Sequence, residues 1–262
     1  MDEHRLHEAF ACTLEGELVA LVDAADDAVA RLQQARAASA VGEEAYDEAF
    51  LMRYACDTAV LGGVRLSTAT VQQAMAGTLG AEASDEALIA KGIVETQRFT
   101  LEALAAGRPL DVAILKEFHT HIALEYPSAT RGAFRVTRSL TRNFFTTTAM
   151  PGDIPDDVAE LAAQAAQASC HALVRAAVVH AELMSIDPFV GATGRTARAV
   201  LNYMLMAEGY PPVSVPASQR VPYLQHLQAF EAVGSVEGLL ALLAKGVADE
   251  AHGRIEALQA GE

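Results

Sequence analysis

The residues that decide the fold are Asp187-Pro188-Phe189-Val190-Gly191-Ala192-Thr193-Gly194-Arg195-Thr196-Ala197-Arg198. They form a glycine-rich turn followed by a helical pattern with arginines three positions apart. The first N–H groups of a helix lack intrahelical acceptors and lie at the positive end of the helix dipole. The stretch therefore predicts an anion-binding site contacted by Thr193, Gly194, Arg195 and Arg198. Thr193 either caps the helix or contacts the ligand, and Gly194 provides a positive φ or a close ligand approach.

The remaining sequence predicts an all-α protein. The chain has 262 residues, 52% of them hydrophobic, which is enough for one large helical domain. Ser67 and Ser84 are predicted N-caps, and residues 131–155 are the one stretch with a strand or hairpin pattern. Apolar residues at steps of three and four predict helices over 4–38, 43–60, 68–77, 84–106, 110–125, 156–185, 194–208, 218–230 and 235–257.

The charge of the chain restricts its partners. A formal net charge of −15 argues against nucleic acid or an anionic membrane as a partner, because both require basic surfaces. No run of eighteen apolar residues occurs, and the first thirty residues lack the basic start of a signal peptide. We therefore expect a cytoplasmic protein.

The motif resembles the signature of the Fic family, His-Pro-Phe-x-(Asp/Glu)-Gly-Asn-Gly-Arg-x-x-Arg. Matching residues are Pro188, Phe189, Gly194, Arg195 and Arg198. The resemblance extends over roughly residues 50–245, through Ile114–His119, Gly132–Arg135, Gly209–Pro212 and Arg220–Tyr223. It implies a helical Fic bundle with a short β-hairpin flap that aligns a target by strand addition. Most members of this family transfer AMP from ATP to a protein hydroxyl.

Within that fold we expect three regions and a flap. Residues 1–60 are predicted to be an N-terminal helical extension, 61–250 the Fic-like core and 251–262 a tail. Phe134 and Arg135 are placed in the flap by the resemblance, where they would contact a substrate.

Four positions depart from the family signature. Asp187 stands at the catalytic histidine, Gly191 at the metal-binding acid, Ala192 at the first glycine and Thr193 at the asparagine. An unperturbed aspartate has a pKa of about 3.9 against about 6.5 for histidine, so it is the weaker base by roughly 3.5 kcal/mol. Gly191 has no side chain to hold Mg²⁺. We therefore assign no metal ligand and expect standard AMP transfer to be altered or lost.

The resemblance also bears on regulation. Many family members carry an inhibitory helix with the pattern (Ser/Thr)-x-x-x-Glu-(Gly/Asn), whose glutamate pairs with the second arginine of the motif. The corresponding stretch is Asp57–Gly62, with Leu61 at the position of the glutamate. Glutamate-type autoinhibition is predicted to be absent.

The role of Asp187 stays open at this point. It is the candidate catalytic residue, as a base or a metal ligand, or it belongs to an Asp-Pro turn and pairs with Arg195 or Arg198. Three functions are compatible: an altered transferase using ATP or another phosphate-containing ligand, an inactive Fic-fold protein that binds a partner, and a small-molecule enzyme with Asp187 as acid or base. The partner would be a protein target or a phosphorylated small molecule, and the oligomeric state is open.

Overall fold

The protein is described by a computed structural model that covers residues 3–80, 83–139 and 148–261. Within these residues the secondary structure consists of helices, with a 3-10 turn at Ala217–Gln219. The all-α prediction is confirmed. The helices are α1 Glu3–Phe10, α2 Glu17–Ala38, α3 Glu44–Leu61, α4 Thr68–Ala76, α5 Asp85–Ala105, α6 Val112–Ile122, α7 Ile154–Gln167, α8 Ala172–Ile186, α9 Thr193–Ala207, α10 Arg220–Val233 and α11 Glu237–Ala260.

Helix α8 is the centre of the bundle. Its side chains are buried on every face from Val178 to Leu183, as expected for a helix that is surrounded by others. It packs against α9, α7, α11, α1 and α10, while α9 also contacts α6, α5 and α3. The loop between α8 and α9 is therefore held at one end of the bundle by the two most enclosed helices.

Local capping chemistry sets several helix starts. The hydroxyl of Ser67 accepts from the Thr70 N–H at 3.0 Å, and that of Ser84 accepts from the Ala87 N–H at 3.3 Å. Both predicted N-caps are confirmed. Asp111 caps α6 in the same way through the N–H of Ile114 at 2.7 Å.

Two predicted helices are each divided in the structure. The prediction over 4–38 is wrong between α1 and α2, where Gly16 has a φ of 56°. The prediction over 156–185 is wrong between α7 and α8, where His171 caps α8 through the N–H of Leu173. The other ring nitrogen of His171 lies 3.0 Å from a carboxylate oxygen of Asp26, on α2. A tertiary contact thus fixes the boundary between α7 and α8, which the spacing of the apolar residues does not indicate.

The hairpin predicted over 131–155 is not seen in the described part of this segment. Residues 131–139 and 148–153 are irregular, and the pairing they make is an isolated antiparallel bridge between Phe134 and Phe189. Residues 140–147 lie outside the described part of the chain. Within the described residues, Phe134 therefore pairs with the motif loop.

The first and last long helices, α2 and α11, pack against each other. Helix α11 packs along α2, and both contribute to one continuous apolar core. The division into extension, core and tail stays a prediction. Among the described residues, none of the helices combines the length and apolarity that crossing a bilayer requires.

Candidate functional site

The loop between α8 and α9 has an unusual backbone. Asp187 at φ 47° and Ala192 at φ 52° are the two residues other than glycine with positive φ in the described chain, and Gly191 lies at 72°. Side chains other than glycine disfavour this region by about 1–2 kcal/mol each. Strain of this kind concentrates at functional sites, where the surrounding structure maintains it.

The helix after this loop begins one residue earlier than a threonine cap would require. Ala192 is the N-cap and Thr193 is the first helical residue, so the interpretation of Thr193 as the cap is wrong. Its hydroxyl is buried and makes no hydrogen bond within the described structure. The first-turn amides of Thr193, Gly194 and Arg195 have no intrahelical acceptor. Four donors thus lie together at the positive end of α9.

Gly194 does not provide a positive φ. It is helical, and an added Cβ would lie 3.1 Å from Nη1 of Arg198. Of the two roles predicted for this glycine, the left-handed one is wrong. The structure shows a close approach to Gly194, and the approaching group is the side chain of Arg198.

Arg195 is buried and forms an ion pair with Glu125, which lies just beyond α6. Both side chains are about nine-tenths inaccessible, and one polar atom of each, Nε of Arg195 and Oε2 of Glu125, has no partner within the described structure. Breaking such a pair strands a buried charge, at a cost of several kcal/mol. An anion at the start of α9 must therefore share Arg195 with Glu125 or bind beside the pair.

Arg198 is held by α3. Its Nε donates to the Thr58 hydroxyl at 2.6 Å, Nη2 to the Thr58 carbonyl at 2.8 Å, and Nη1 to the Tyr223 hydroxyl at 3.4 Å. Thr58 lies in the stretch Asp57–Gly62 that was compared with the inhibitory pattern, and this stretch contains no glutamate. The absence of glutamate-type autoinhibition stays a prediction.

Asp187 faces the flap segment instead of the arginines. Its Oδ2 accepts from the Ser139 hydroxyl at 2.5 Å, so the interpretation of an Asp187 pair with Arg195 or Arg198 is wrong. The side chain of Asp187 is half-buried at the C-terminus of α8. Nothing in the local sequence around Ser139 indicates this contact.

Arg135 fixes the segment that carries Ser139. It is buried, and its Nε donates to the Asp187 carbonyl at 2.6 Å. Its Nη1 and Nη2 donate to the carbonyls of Thr137 at 2.9 Å, Ala149 at 2.6 Å and Ile186 at 3.1 Å. One guanidinium thus joins the end of α8 to the described residues on either side of 140–147. Desolvation lowers the pKa of Arg135, and the nearby Asp187 opposes that shift.

A stack of rings lies under the motif loop. Phe189 packs face to face with His119 at 4.1 Å between centroids and against Phe134 at 5.6 Å. Nδ1 of His119 accepts from the Gly132 N–H at 2.9 Å, which leaves Nε2 as the donor to the Gly191 carbonyl at 3.3 Å. Burial lowers the pKa of His119 to about 4, so the ring is neutral at neutral pH. His119 is thus a core histidine that ties α6 to the loop.

The space beside Gly191 is filled by a tyrosine. A Cβ placed on Gly191 would overlap the hydroxyl and ring of Tyr126, and the backbone there has a φ of 72°. Sequence reasoning missed both Tyr126 and Glu125, because their only local signal is a position just after a helix. Among the described residues, no group of three or more His, Cys, Asp or Glu side chains could hold a metal ion.

Part of this chain is similar to a known protein family. Residues 109–205 match the Fic/DOC family. A 60-residue stretch is 45% identical to the protein adenylyltransferase Fic of Drosophila virilis, and it covers 23% of this chain but 12% of that protein. The match thus covers less than half of this chain, and the chain spans a small part of the length of the adenylyltransferases to which it is similar.

Solved structures give the fold over a larger part of the chain. Fic-1 of C. elegans superposes with a TM-score of 0.75 at 19% identity, over 90% of this chain and 71% of that one. A Fic domain containing signaling protein from Bacteroides thetaiotaomicron superposes with a TM-score of 0.73 at 20% identity, over 89% and 98%. The whole bundle described above is thus a Fic fold.

Proposed function

We propose that this chain is a divergent Fic protein that binds a phosphate-containing ligand at the start of α9 and has lost or altered the standard transfer of AMP to other proteins. The observation that carries the proposal is the buried Thr193 hydroxyl, which makes no hydrogen bond within the described structure and lies among the first-turn donors of α9. Buried hydroxyls are normally satisfied, so an unpaired one beside a helix N-terminus favours an anionic ligand.

The altered chemistry follows from the surroundings of the loop. Asp187 adds a negative charge beside the site where phosphates would bind, and Tyr126 fills the space next to Gly191 from which a metal-binding carboxylate would project. Without that carboxylate, Mg²⁺ has no protein ligand in the loop to fix it between two phosphates. A ligand that needs no metal ion between two phosphates, such as a nucleoside monophosphate or a nucleotide bound through one phosphate, suits the site better than Mg²⁺–ATP.

Calorimetric titration of ATP, ADP, AMP and inorganic phosphate into the chain, with and without Mg²⁺, tests the proposal. Thr193→Val removes the hydroxyl at nearly constant shape and should weaken binding about 5- to 30-fold, the loss of one hydrogen bond of about 1–2 kcal/mol. Thr68→Val is the matched control, because Thr68 is the first residue of α4 and is exposed. Absence of binding by all four compounds would refute the proposal.

A second function is favoured by one feature, namely that both motif arginines have partners within the protein. Arg195 pairs with Glu125 and Arg198 with Thr58, as expected of a scaffold that no longer holds nucleotide. Such a protein would bind a macromolecular partner through its Fic fold. The same titration distinguishes the two functions, together with a labelling experiment in a lysate supplied with ATP that carries a labelled α-phosphate. The second function predicts a folded chain that binds no phosphate compound and labels no protein.

A further inference from the structure

A cavity lies at the C-terminal end of α9, at the opposite end of that helix from the motif loop. Its volume is about 440 Å³, and residues of α2, α3, α4, α5, α9 and α11 line it together with the turn at 209–212. Small-molecule sites in proteins span about 300–1,000 Å³. Because α9 has 15 residues, its two ends are about 22 Å apart, and no residue of 187–198 contributes to the lining.

Much of the lining is apolar. Phe50 and Val94 are buried, and Met75 and Met206 are partly buried. Leu101 lies at the open edge of the cavity and is 52% exposed. An apolar group that fills this space would remove these side chains from water, which is favourable in free energy.

One buried polar group of the lining lacks a partner. Arg254 is 2% exposed, and its Nη1 bonds to the carboxylates of Glu43 and Asp47. Its Nε is also buried but makes no hydrogen bond within the described structure. Buried polar groups are normally satisfied, so this N–H donor calls for an acceptor. Among the described residues that line the cavity, no buried side-chain acceptor is left unpaired.

A second guanidinium is available at the edge of the cavity. Arg98 on α5 is exposed, its Nη2 donates to the Met75 carbonyl at 3.4 Å, and it forms no ion pair with a described residue. Two of the three acids in the lining are already paired with Arg254. The third, Glu48, is exposed, so water and salt screen its charge. The hydrogen-bonding groups left free for a ligand are therefore mainly donors.

We propose that this cavity binds a small amphipathic carboxylate. Its hydrocarbon body would lie against Phe50, Val94 and Met206, and its carboxylate would accept hydrogen bonds from the guanidinium groups of the lining. Guanidinium and carboxylate groups suit each other because their hydrogen bonds are charge-assisted and can form in parallel pairs. The inference does not depend on the proposed function, since the cavity is remote from the start of α9 and its ligand needs no phosphate.

Calorimetric titration of octanoate, 1-octanol and octylammonium into the full chain tests the proposal. The three probes share one hydrocarbon chain and differ only in the head group. We expect octanoate to bind at one site per chain, 1-octanol to bind more weakly and octylammonium to bind most weakly. The formal net charge of −15 attracts the ammonium non-specifically, so a preference for octanoate must come from the cavity. Octylammonium binding as tight as that of octanoate, or no octanoate binding, would overturn the proposal.

The methionine methyl groups report where octanoate binds. Met75 and Met206 line the cavity, whereas Met150 precedes α7 and is not part of the lining. In a chain with ¹³C-labelled methionine methyl groups, octanoate should shift the signals of Met75 and Met206 and leave that of Met150 unchanged. Met75→Leu and Met206→Leu assign the two signals. Saturable binding that shifts neither of them would show that octanoate occupies another site.

Two pairs of variants test the charge requirement at exposed positions, where folding is not at risk. Arg98→Met should weaken octanoate binding about 5-fold, the size of one accessible ion pair, while Arg31→Met on α2 should not change it. Leu101→Asp places a like charge at the edge of the cavity and should weaken binding by a similar factor, whereas Leu101→Asn has nearly the same shape without the charge and should bind better than Leu101→Asp. An affinity that is unchanged in both Arg98→Met and Leu101→Asp would refute the assignment.

Discussion

At the scale of single residues, the loop between α8 and α9 is defined by close contacts with other parts of the chain. Tyr126 fills the space that a side chain at position 191 would take. The carboxylate of Asp187 accepts a hydrogen bond from Ser139. A substitution in this loop therefore also disturbs a contact outside it.

Gly191→Asp alone should be destabilising. The new Cβ would overlap Tyr126, and φ at 72° is strained for any side chain, so the free energy of unfolding should fall by about 2–4 kcal/mol. Gly191→Asp with Tyr126→Ala should recover part of that loss. Gly152→Asp, where a Cβ meets nothing within 4 Å, is the control and should change stability by about 0.5 kcal/mol or less. Urea unfolding measures all three; an unchanged Gly191→Asp variant would contradict the overlap.

His119 makes stability depend on pH. Burial lowers its folded pKa from 6.5 to about 4, so the unfolded chain takes up a proton that the folded chain does not. The stabilisation is complete above about pH 6.5 and is lost as the pH falls towards about 4, by up to roughly 3 kcal/mol. His180, with a pKa of about 4 for the same reason, contributes similarly.

Urea unfolding at a series of pH values from about 7.5 to about 4.5 measures this dependence. His119→Gln should reduce the loss of stability on acidification by about half, because His180 still contributes. His252→Gln, at an exposed position of α11, is the control and should keep the parental slope. Equal slopes for His119→Gln and the parent would show that His119 does not carry the effect.

At the scale of secondary-structure elements, a few buried polar side chains join helices that are distant in sequence. Arg198 connects α9 to α3 through both the hydroxyl and the carbonyl of Thr58. Arg135 connects the end of α8 to the flap segment through four carbonyls. These guanidiniums donate hydrogen bonds within the protein. Several arginines close to the motif therefore do not by themselves indicate a ligand-binding site.

Thr58→Val should weaken the junction between α3 and α9. It keeps the shape of the side chain but leaves the buried Nε of Arg198 without its acceptor, which should cost about 1–3 kcal/mol of unfolding free energy. Thr58→Ser keeps the hydroxyl and should lose much less. Chemical denaturation compares the two, and equal losses would mean that packing, rather than the hydrogen bond, holds the junction.

At the scale of the whole molecule, one buried arginine joins the last helix of the chain, α11, to the start of α3. Nη1 of Arg254 on α11 lies 2.5 Å from Glu43 and 2.7 Å from Asp47, and its guanidinium packs 4.8 Å from the ring centre of Tyr46. Hydrogen bonds from Arg36 and then Arg254 lower the pKa of Glu43, although burial opposes them. The network joins α11 to the start of α3 in a chain with a formal net charge of −15.

Arg254→Met should destabilise the protein by about 3 kcal/mol, because it keeps the apolar length but leaves Glu43 with one cation fewer in a buried position. Arg31→Met, at an exposed position of α2, is the control and should change the free energy of unfolding by about 0.5 kcal/mol or less. Thermal and urea unfolding provide the comparison. An Arg254→Met variant as stable as the parent would mean that these ion pairs do not hold α11 to the start of α3.

Most of the fold could be predicted from local chemistry, and most of the site geometry could not. Ser67 and Ser84 identify helix starts because a cap depends on residues three positions away. The break at His171 depends on Asp26, far away in sequence, and so the apolar period predicted one helix where there are two. The predicted N-cap role of Thr193 failed because Ala192 takes the left-handed backbone position before the helix.

The sequence by itself determined the helical class, the α8–loop–α9 motif and the altered residues within it, since these depend on periodicity and on residue identity along a short stretch. The tertiary structure alone decided the partners of those residues: Asp187 with Ser139, Arg195 with Glu125, and Arg198 with Thr58. The physical reason is that a buried charge takes whichever partner the packing of separate elements brings within hydrogen-bond distance. That distance is not a property of any local stretch of the chain.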